Sequence, residues 1–162
     1  MPSFSGVNHL ALSVTDLDRS TRFYVDVLGL LVALDLGHGR VLLDRATGFS
    51  LALLQHPEGS ADAFSERRTG LDHLGLAAQD RSELVAWQDR LDELGVEHSP
   101  VQETELGHHL NFRDPDGIAL ELQAPNDVYR GLVAQLASGT VPVEIVRDQA
   151  EAVLGSGIVA RP

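Results

Sequence analysis

Three residues in this sequence have the types and the setting from which a metal site is built: His9, His73 and Glu121. Two neutral imidazoles and one carboxylate are a standard ligand set for Fe(II), Mn(II) or Zn(II). An ion on three protein ligands keeps positions open for a substrate, for oxygen or for water. The histidines occupy matching places in a repeated segment, Gly6-Val7-Asn8-His9-Leu10-Ala11-Leu12 and Gly70-Leu71-Asp72-His73-Leu74-Gly75-Leu76. Pseudo-twofold symmetry between the copies brings equivalent positions together. Glu121 lies in Gly117-Ile118-Ala119-Leu120-Glu121-Leu122, which aligns with Gly48-Phe49-Ser50-Leu51-Ala52-Leu53 of the first copy. Burying a lone carboxylate in such an apolar strand costs several kcal/mol unless it is paired, protonated or bound to metal. One histidine on a strand is ordinarily a core or surface residue. Two at repeat-equivalent positions, with an inward glutamate, favour a ligand set.

The elements that must position these residues follow from the repeat. Each histidine segment alternates like a half-buried strand, with the histidine on the face opposite its neighbouring leucines. Each then enters a helix. Asp16 caps the first, with Leu17, Thr21, Tyr24 and Leu28 on one face and Gly29 as the stop. Asp80 and Glu83 have capping-box spacing in the second, where Leu84, Trp87, Leu91 and Leu94 form the apolar stripe and Gly95 ends it. Three extended runs follow each helix, over about 31–36, 40–45 and 49–56, then 96–99, 108–113 and 117–123. Asp114-Pro115-Asp116-Gly117 turns the last pair into a hairpin, proline fixing one angle and glycine supplying positive φ.

Each half therefore reads βαβββ, and the class is α+β. Neither half alone buries both its helix and its sheet, so the two modules are expected to form one curved eight-stranded mixed sheet with the helices outside. Module one spans about 5–56 and module two about 69–124, within a domain of residues 1–125. A helical extension occupies 126–162, with Asn126 capping a helix over 127–137 (Val128, Leu132 and Leu136 on one face). Gly139 breaks it, a second helix runs over 142–154 with Pro142 near its start, and Gly155-Ser156-Gly157 releases a short tail.

Composition excludes several classes. The 162 residues are 43% hydrophobic and carry a net charge of −12. A nucleic-acid partner is not expected, because it calls for a basic face to displace counterions from phosphates. No stretch approaches the roughly 18 apolar residues of a membrane span. Met1-Pro2-Ser3-Phe4-Ser5 lacks the order of a signal peptide and the chain has no cysteine, which together predict a cytoplasmic protein.

The two strand openings, together with Asn111-Phe112-Arg113-Asp114-Pro115-Asp116-Gly117-Ile118-Ala119-Leu120-Glu121-Leu122, resemble the glyoxalase/bleomycin-resistance/extradiol-dioxygenase superfamily, also called vicinal oxygen chelate proteins. The resemblance covers about residues 6–125. It implies a divalent metal in a central groove, a small substrate chelated through adjacent oxygens, and a homodimer. Lactoylglutathione lyases of that superfamily carry a fourth ligand, a glutamate, where this chain has Ala52, so lyase and epimerase chemistry is disfavoured. Fosfomycin thiol transferases share the two histidines and the glutamate, with Mn(II), but surround a phosphonate with basic and hydroxyl groups. Glu103-Thr104-Glu105-Leu106-Gly107 supplies acid instead. Extradiol dioxygenases share the ligand set and its order along the chain.

The expected function is therefore an extradiol-type dioxygenase or related oxygenase. Fe(II) is favoured, with Mn(II), Zn(II), Ni(II) or Co(II) as alternatives. The tyrosine that extradiol enzymes place before the final turn is Asn111 here, and the upstream position of their second histidine is Gln102. His109 shares strand parity with Asn111, and the two are assigned to proton transfer or to holding oxygen. Ser50, Ala52 and Arg40 are assigned to substrate contact. The competing readings are a drug- or metabolite-binding resistance protein without turnover and a metal-dependent lyase or transferase on the same fold.

Overall fold

A computed structural model describes residues 4–60 and 62–155. The tail at 156–162 lies outside the described residues. The first repeat comprises β1 (Leu10–Ser13), α1 (Leu17–Asp26), β2 (Leu31–Asp35), β3 (Gly39–Leu43) and β4 (Ser50–Leu54). The second comprises β5 (Leu74–Ala77), α2 (Arg81–Glu93), β6 (Gln102–Thr104), β7 (Gly107–Arg113) and β8 (Ala119–Pro125). Two helices follow, α3 (Asp127–Ser138) and α4 (Val143–Leu154). None of the described helices is long and apolar enough to cross a membrane.

The βαβββ order is present twice. Hydrogen bonding groups the eight strands as two four-stranded sheets, β1-β4-β3-β2 and β5-β8-β7-β6, where the sequence predicts one sheet of eight. The repeat is visible in these orders: each opening strand pairs with the last strand of its own module.

Register sorts the first sheet into two faces. Leu10, Leu12, Leu42, Leu51 and Leu53 share one face, and Leu42, Leu51 and Leu53 are fully buried there. Ala11, Val41, Ser50 and Ala52 share the other. Alternation repeats in the second sheet, where Leu110, Phe112, Leu120, Leu122 and Ala124 are buried and the residues between them are half-buried or exposed. The apolar face of each strand sets the fold, while its other face stays available.

The caps agree with the sequence. The Asp16 carboxylate accepts the Arg19 N–H at 2.9 Å, and Asn126 accepts the Tyr129 N–H at 2.9 Å. Gly29, at φ +71°, ends the first helix, where the Leu30 N–H reaches back to the Tyr24 carbonyl. Asp80 accepts the Glu83 N–H, and Glu83 returns to the Gln79 N–H. Two expectations are corrected. Residues 96–99 do not form a continuous strand: His98 makes a single bridge and the Ser99 N–H donates to the Asn111 carbonyl at 2.8 Å, while the strand proper, β6, begins only beyond Pro100, which lacks the N–H a ladder needs. Leu94 is 37% exposed rather than part of the buried stripe, since it lies beyond the last residue of α2.

By internal contacts the described chain falls into two compact units. The first holds Met1–Leu74, Arg90–Glu97 and Phe112–Leu120; the second holds Gly75–Asp89, His98–Asn111 and Glu121–Pro162. In the first unit the 114–117 turn is anchored by Asp114, which is 5% exposed. It accepts from the Asp116 and Ile118 N–H groups and from the hydroxyl of fully buried Tyr24, at 3.0 Å. Burial raises the Asp114 carboxyl above its ordinary range, against those hydrogen bonds, and burial likewise pushes the Tyr24 phenol up. In the second unit Arg130 of α3 donates to the Gln79 carbonyl at 2.6 Å, tying the extension to the start of α2.

Candidate metal centre

His9 and His73 each stand one residue ahead of their strand, and both are exposed. Each ring is held by the residue before it. His9 Nδ1 lies 2.9 Å from Asn8 Oδ1, and His73 Nδ1 lies 2.7 Å from Asp72 Oδ1. A carboxylate or carboxamide oxygen only accepts, so in both rings the proton belongs on Nδ1 and the lone pair on Nε2. That is the tautomer a metal ligand needs, and an outer carboxylate of this kind also raises ligand basicity. The sequence signal is the Asx residue before each repeated histidine.

Glu121 is in β8, on the face opposite Leu120 and Leu122. Its Oε2 is 3.0 Å from His109 Nδ1, and both side chains are only 16% exposed. Its Oε1 lies beside Gly75, 4.0 Å from where a Cβ would stand. The other ring nitrogen of His109, Nε2, is 3.0 Å from Thr104 Oγ1. Both nitrogens of His109 are therefore engaged. Asn111, two residues further along the same face of β7, is exposed; its backbone exchanges hydrogen bonds with Ser99.

The first sheet carries the remaining predicted residues. Ser50 and Ala52 lie half-buried on the face that also bears Ala11. Arg40 pairs with Leu53 across the β3–β4 ladder, which puts it on the opposite, helix-bearing face. It is held there by Asp18 at 2.7 Å, Asp35 at 2.9 Å and the Thr21 hydroxyl at 3.1 Å. So the structure brings Glu121 and His109 together, sets Ser50 beside Ala52, and puts Arg40 on the opposite face of their sheet. Among the described residues, no three His, Cys, Asp or Glu side chains form a group that could hold a metal ion. The donor chemistry of each proposed ligand nevertheless fits one, with Nε2 of each imidazole and Oε1 of the carboxylate as the donor atoms. A cleft of about 800 Å³ in the first unit, lined by Ser13, Thr15, His56, Phe64 and Asp116 among others, contains none of the predicted site residues.

The family model described as the Glyoxalase/Bleomycin resistance protein/Dioxygenase superfamily matches residues 6–122. The chain belongs to that superfamily. Members of the glyoxalase superfamily bind small-molecule substrates and divalent metals, Mn(II) among them. Metallothiol transferase FosB of Shouchella clausii (strain KSM-K16) is 31% identical over 121 residues, covering 73% of this chain and 79% of that enzyme. Biphenyl-2,3-diol 1,2-dioxygenase 3 of Rhodococcus globerulus is 29% identical over 119 residues, or 73% of this chain. The chain spans only 62% of that dioxygenase. Among solved structures, a glyoxylase/bleomycin resistance protein/dioxygenase domain from Frankia sp. EAN1pec is 35% identical with a TM-score of 0.70, covering 76% of this chain and 100% of that one. These relatives span transferase and dioxygenase chemistry, so the superfamily is fixed and the reaction is not.

Proposed function

We propose that this chain is a metal-dependent oxygenase holding one divalent ion, Fe(II) in the favoured case, on His9, His73 and Glu121. The observation that carries the reading is the matched pair of Asx–histidine contacts, which leaves Nε2 open at both repeat-equivalent positions. Glu121 supplies the single negative charge through Oε1. When bound, the ion would supply Lewis acidity toward two adjacent substrate oxygens. Ala52, Ala11 and Ser50 are small and leave room for a planar ring against the sheet. Exposed Asn111 offers a carboxamide to the substrate.

The reading includes a homodimer. Phe4 and Val7, each 88% exposed on the segment that carries His9, support packing of that segment against a second chain. The proposal is tested by loading the protein with Fe(II) without oxygen and then measuring oxygen uptake with catechols. Uptake that needs both iron and a vicinal diol is expected; retained iron with no uptake across the series removes the oxygenase reading. The 31% identity to a metallothiol transferase favours a second reading, addition of a thiol to a small electrophile. Metal-dependent thiol consumption in place of oxygen uptake would decide for it.

A further inference from the structure

His109 is one step removed from the proposed ligand set, and its surroundings define what it does. The β6–β7 hairpin is pinned to the end of β8 at three points. Gly107, at φ +134°, packs so closely that a Cβ would stand 2.2 Å from the Ala124 carbonyl oxygen. The Asn126 N–H donates to the Leu106 carbonyl at 3.0 Å, and the Asn126 side chain donates to the Glu105 carbonyl at 2.9 Å. Thr104 is therefore a fixed point relative to the strand that bears Glu121. Its hydroxyl oxygen accepts the Leu106 N–H at 3.3 Å.

In the ladder Gln102 faces His109 and Thr104 faces Gly107, so Thr104 and His109 are diagonal neighbours on one face. The ring of His109 spans from the Thr104 hydroxyl to Glu121 Oε2, with 3.0 Å at each end. The carboxylate can only accept, so the proton on Nδ1 is directed to Oε2; at the other end the one proton of the Thr104 hydroxyl lies between Nε2 and the Gly107 carbonyl, 3.2 Å away.

We infer that His109 is a positioning residue: it transmits the fixed place of Thr104 to Glu121, holds Oε2, and presents Oε1 alone to the metal. The inference rests on Glu121 being a ligand. It adds a specific chain, Thr104 to His109 to Glu121, that makes the glutamate a monodentate donor. Without it the carboxylate is free to rotate, and every bound ion must first order it.

The test is Mn(II) affinity of the full-length chain, read by competition with a chelator, with apo-protein melting and circular dichroism as folding controls. His109→Ala is expected to weaken Mn(II) binding by about 10–100-fold, the range for outer-shell partners. His109→Asn, whose amide nitrogen takes the place of Nδ1 but cannot reach Thr104, restores part of the loss, to about the level of Thr104→Val. Thr104→Val leaves the imidazole in place and gives a smaller loss. An affinity unchanged in both His109→Ala and Thr104→Val overturns the inference while leaving the metal site intact. A loss that His109→Asn does not restore also overturns it, and makes the imidazole a ligand in its own right. A wild-type chain without affinity removes the metal reading itself. Should His109→Ala fail to fold, Thr104→Val and His109→Asn carry the decision.

Discussion

The last strands of the two repeats, β4 and β8, differ where it matters most. Both bury leucines on one face, Leu51 and Leu53 in the first and Leu120 and Leu122 in the second. On the other face β4 presents Ala52, paired with Val41 across the ladder, whereas β8 presents Glu121, met by His109. One face of each strand specifies the module, and it is the same in both copies. The opposite face is free to diverge, and only the second copy has acquired a carboxylate with a supporting partner. The symmetry of the repeats is thus kept in the fold and broken on the opposite face.

The largest effects should come from the face the copies share. Leu51→Ala or Leu120→Ala is expected to cost about 2–5 kcal/mol, the range for a large aliphatic side chain removed from a packed core. Denaturant unfolding would show it, and similar losses in both repeats are predicted because both leucines are almost wholly buried. Giving the first copy the glutamate of the second should cost less. Ala52→Glu adds a carboxylate with no partner such as His109, at about 1–3 kcal/mol. A stability equal to wild type would show that β4 already holds a partner for it.

The buried turn of the first unit makes a prediction of sign rather than size. Burial raises the Asp114 carboxyl above its ordinary range. The folded state then holds the proton more tightly than the unfolded state. The stability this contributes is complete below the unfolded value and is lost as pH rises through the folded one. The advantage of wild type over Asp114→Asn, which keeps an oxygen for the Asp116 and Ile118 N–H groups, should therefore shrink as pH rises above the ordinary carboxylate range. An advantage that grows as pH rises there would mean the carboxylate is stabilised as the anion. The smallest effect belongs to Leu94→Ser, about 1 kcal/mol, because its side chain lies past the end of α2 and is already 37% exposed.

Much of this was legible in the sequence because the molecule repeats itself. Two copies of one heptad gave the order βαβββ, the caps at Asp16 and Asn126, and the equivalence of Ala52 with Glu121. Local reading failed where a distant partner decides. Tyr24 reads as plain core, and nothing in its neighbourhood announces a hydroxyl bonded to Asp114, ninety residues on. Arg40 reads as a cation near the groove, yet the register and the carboxylates of Asp18 and Asp35 hold it on the helix side. At 96–99 the sequence held a local signal, Pro100, which interrupts the ladder so that the continuous strand starts only beyond it. For the candidate site, residue types and symmetry named the donors. The use of both nitrogens of His109 became apparent only from the hairpin geometry.

The central claim is that the second repeat's glutamate completes a metal site with the two repeated histidines. Calorimetric titration of the apo-protein with Mn(II) tests it most directly, in wild type and in Glu121→Gln, a substitution that keeps the shape of the side chain and removes its charge. One ion per chain in the wild type, and no binding by a folded Glu121→Gln, is the predicted result. Undiminished binding by Glu121→Gln, or no binding by the wild type, would contradict it.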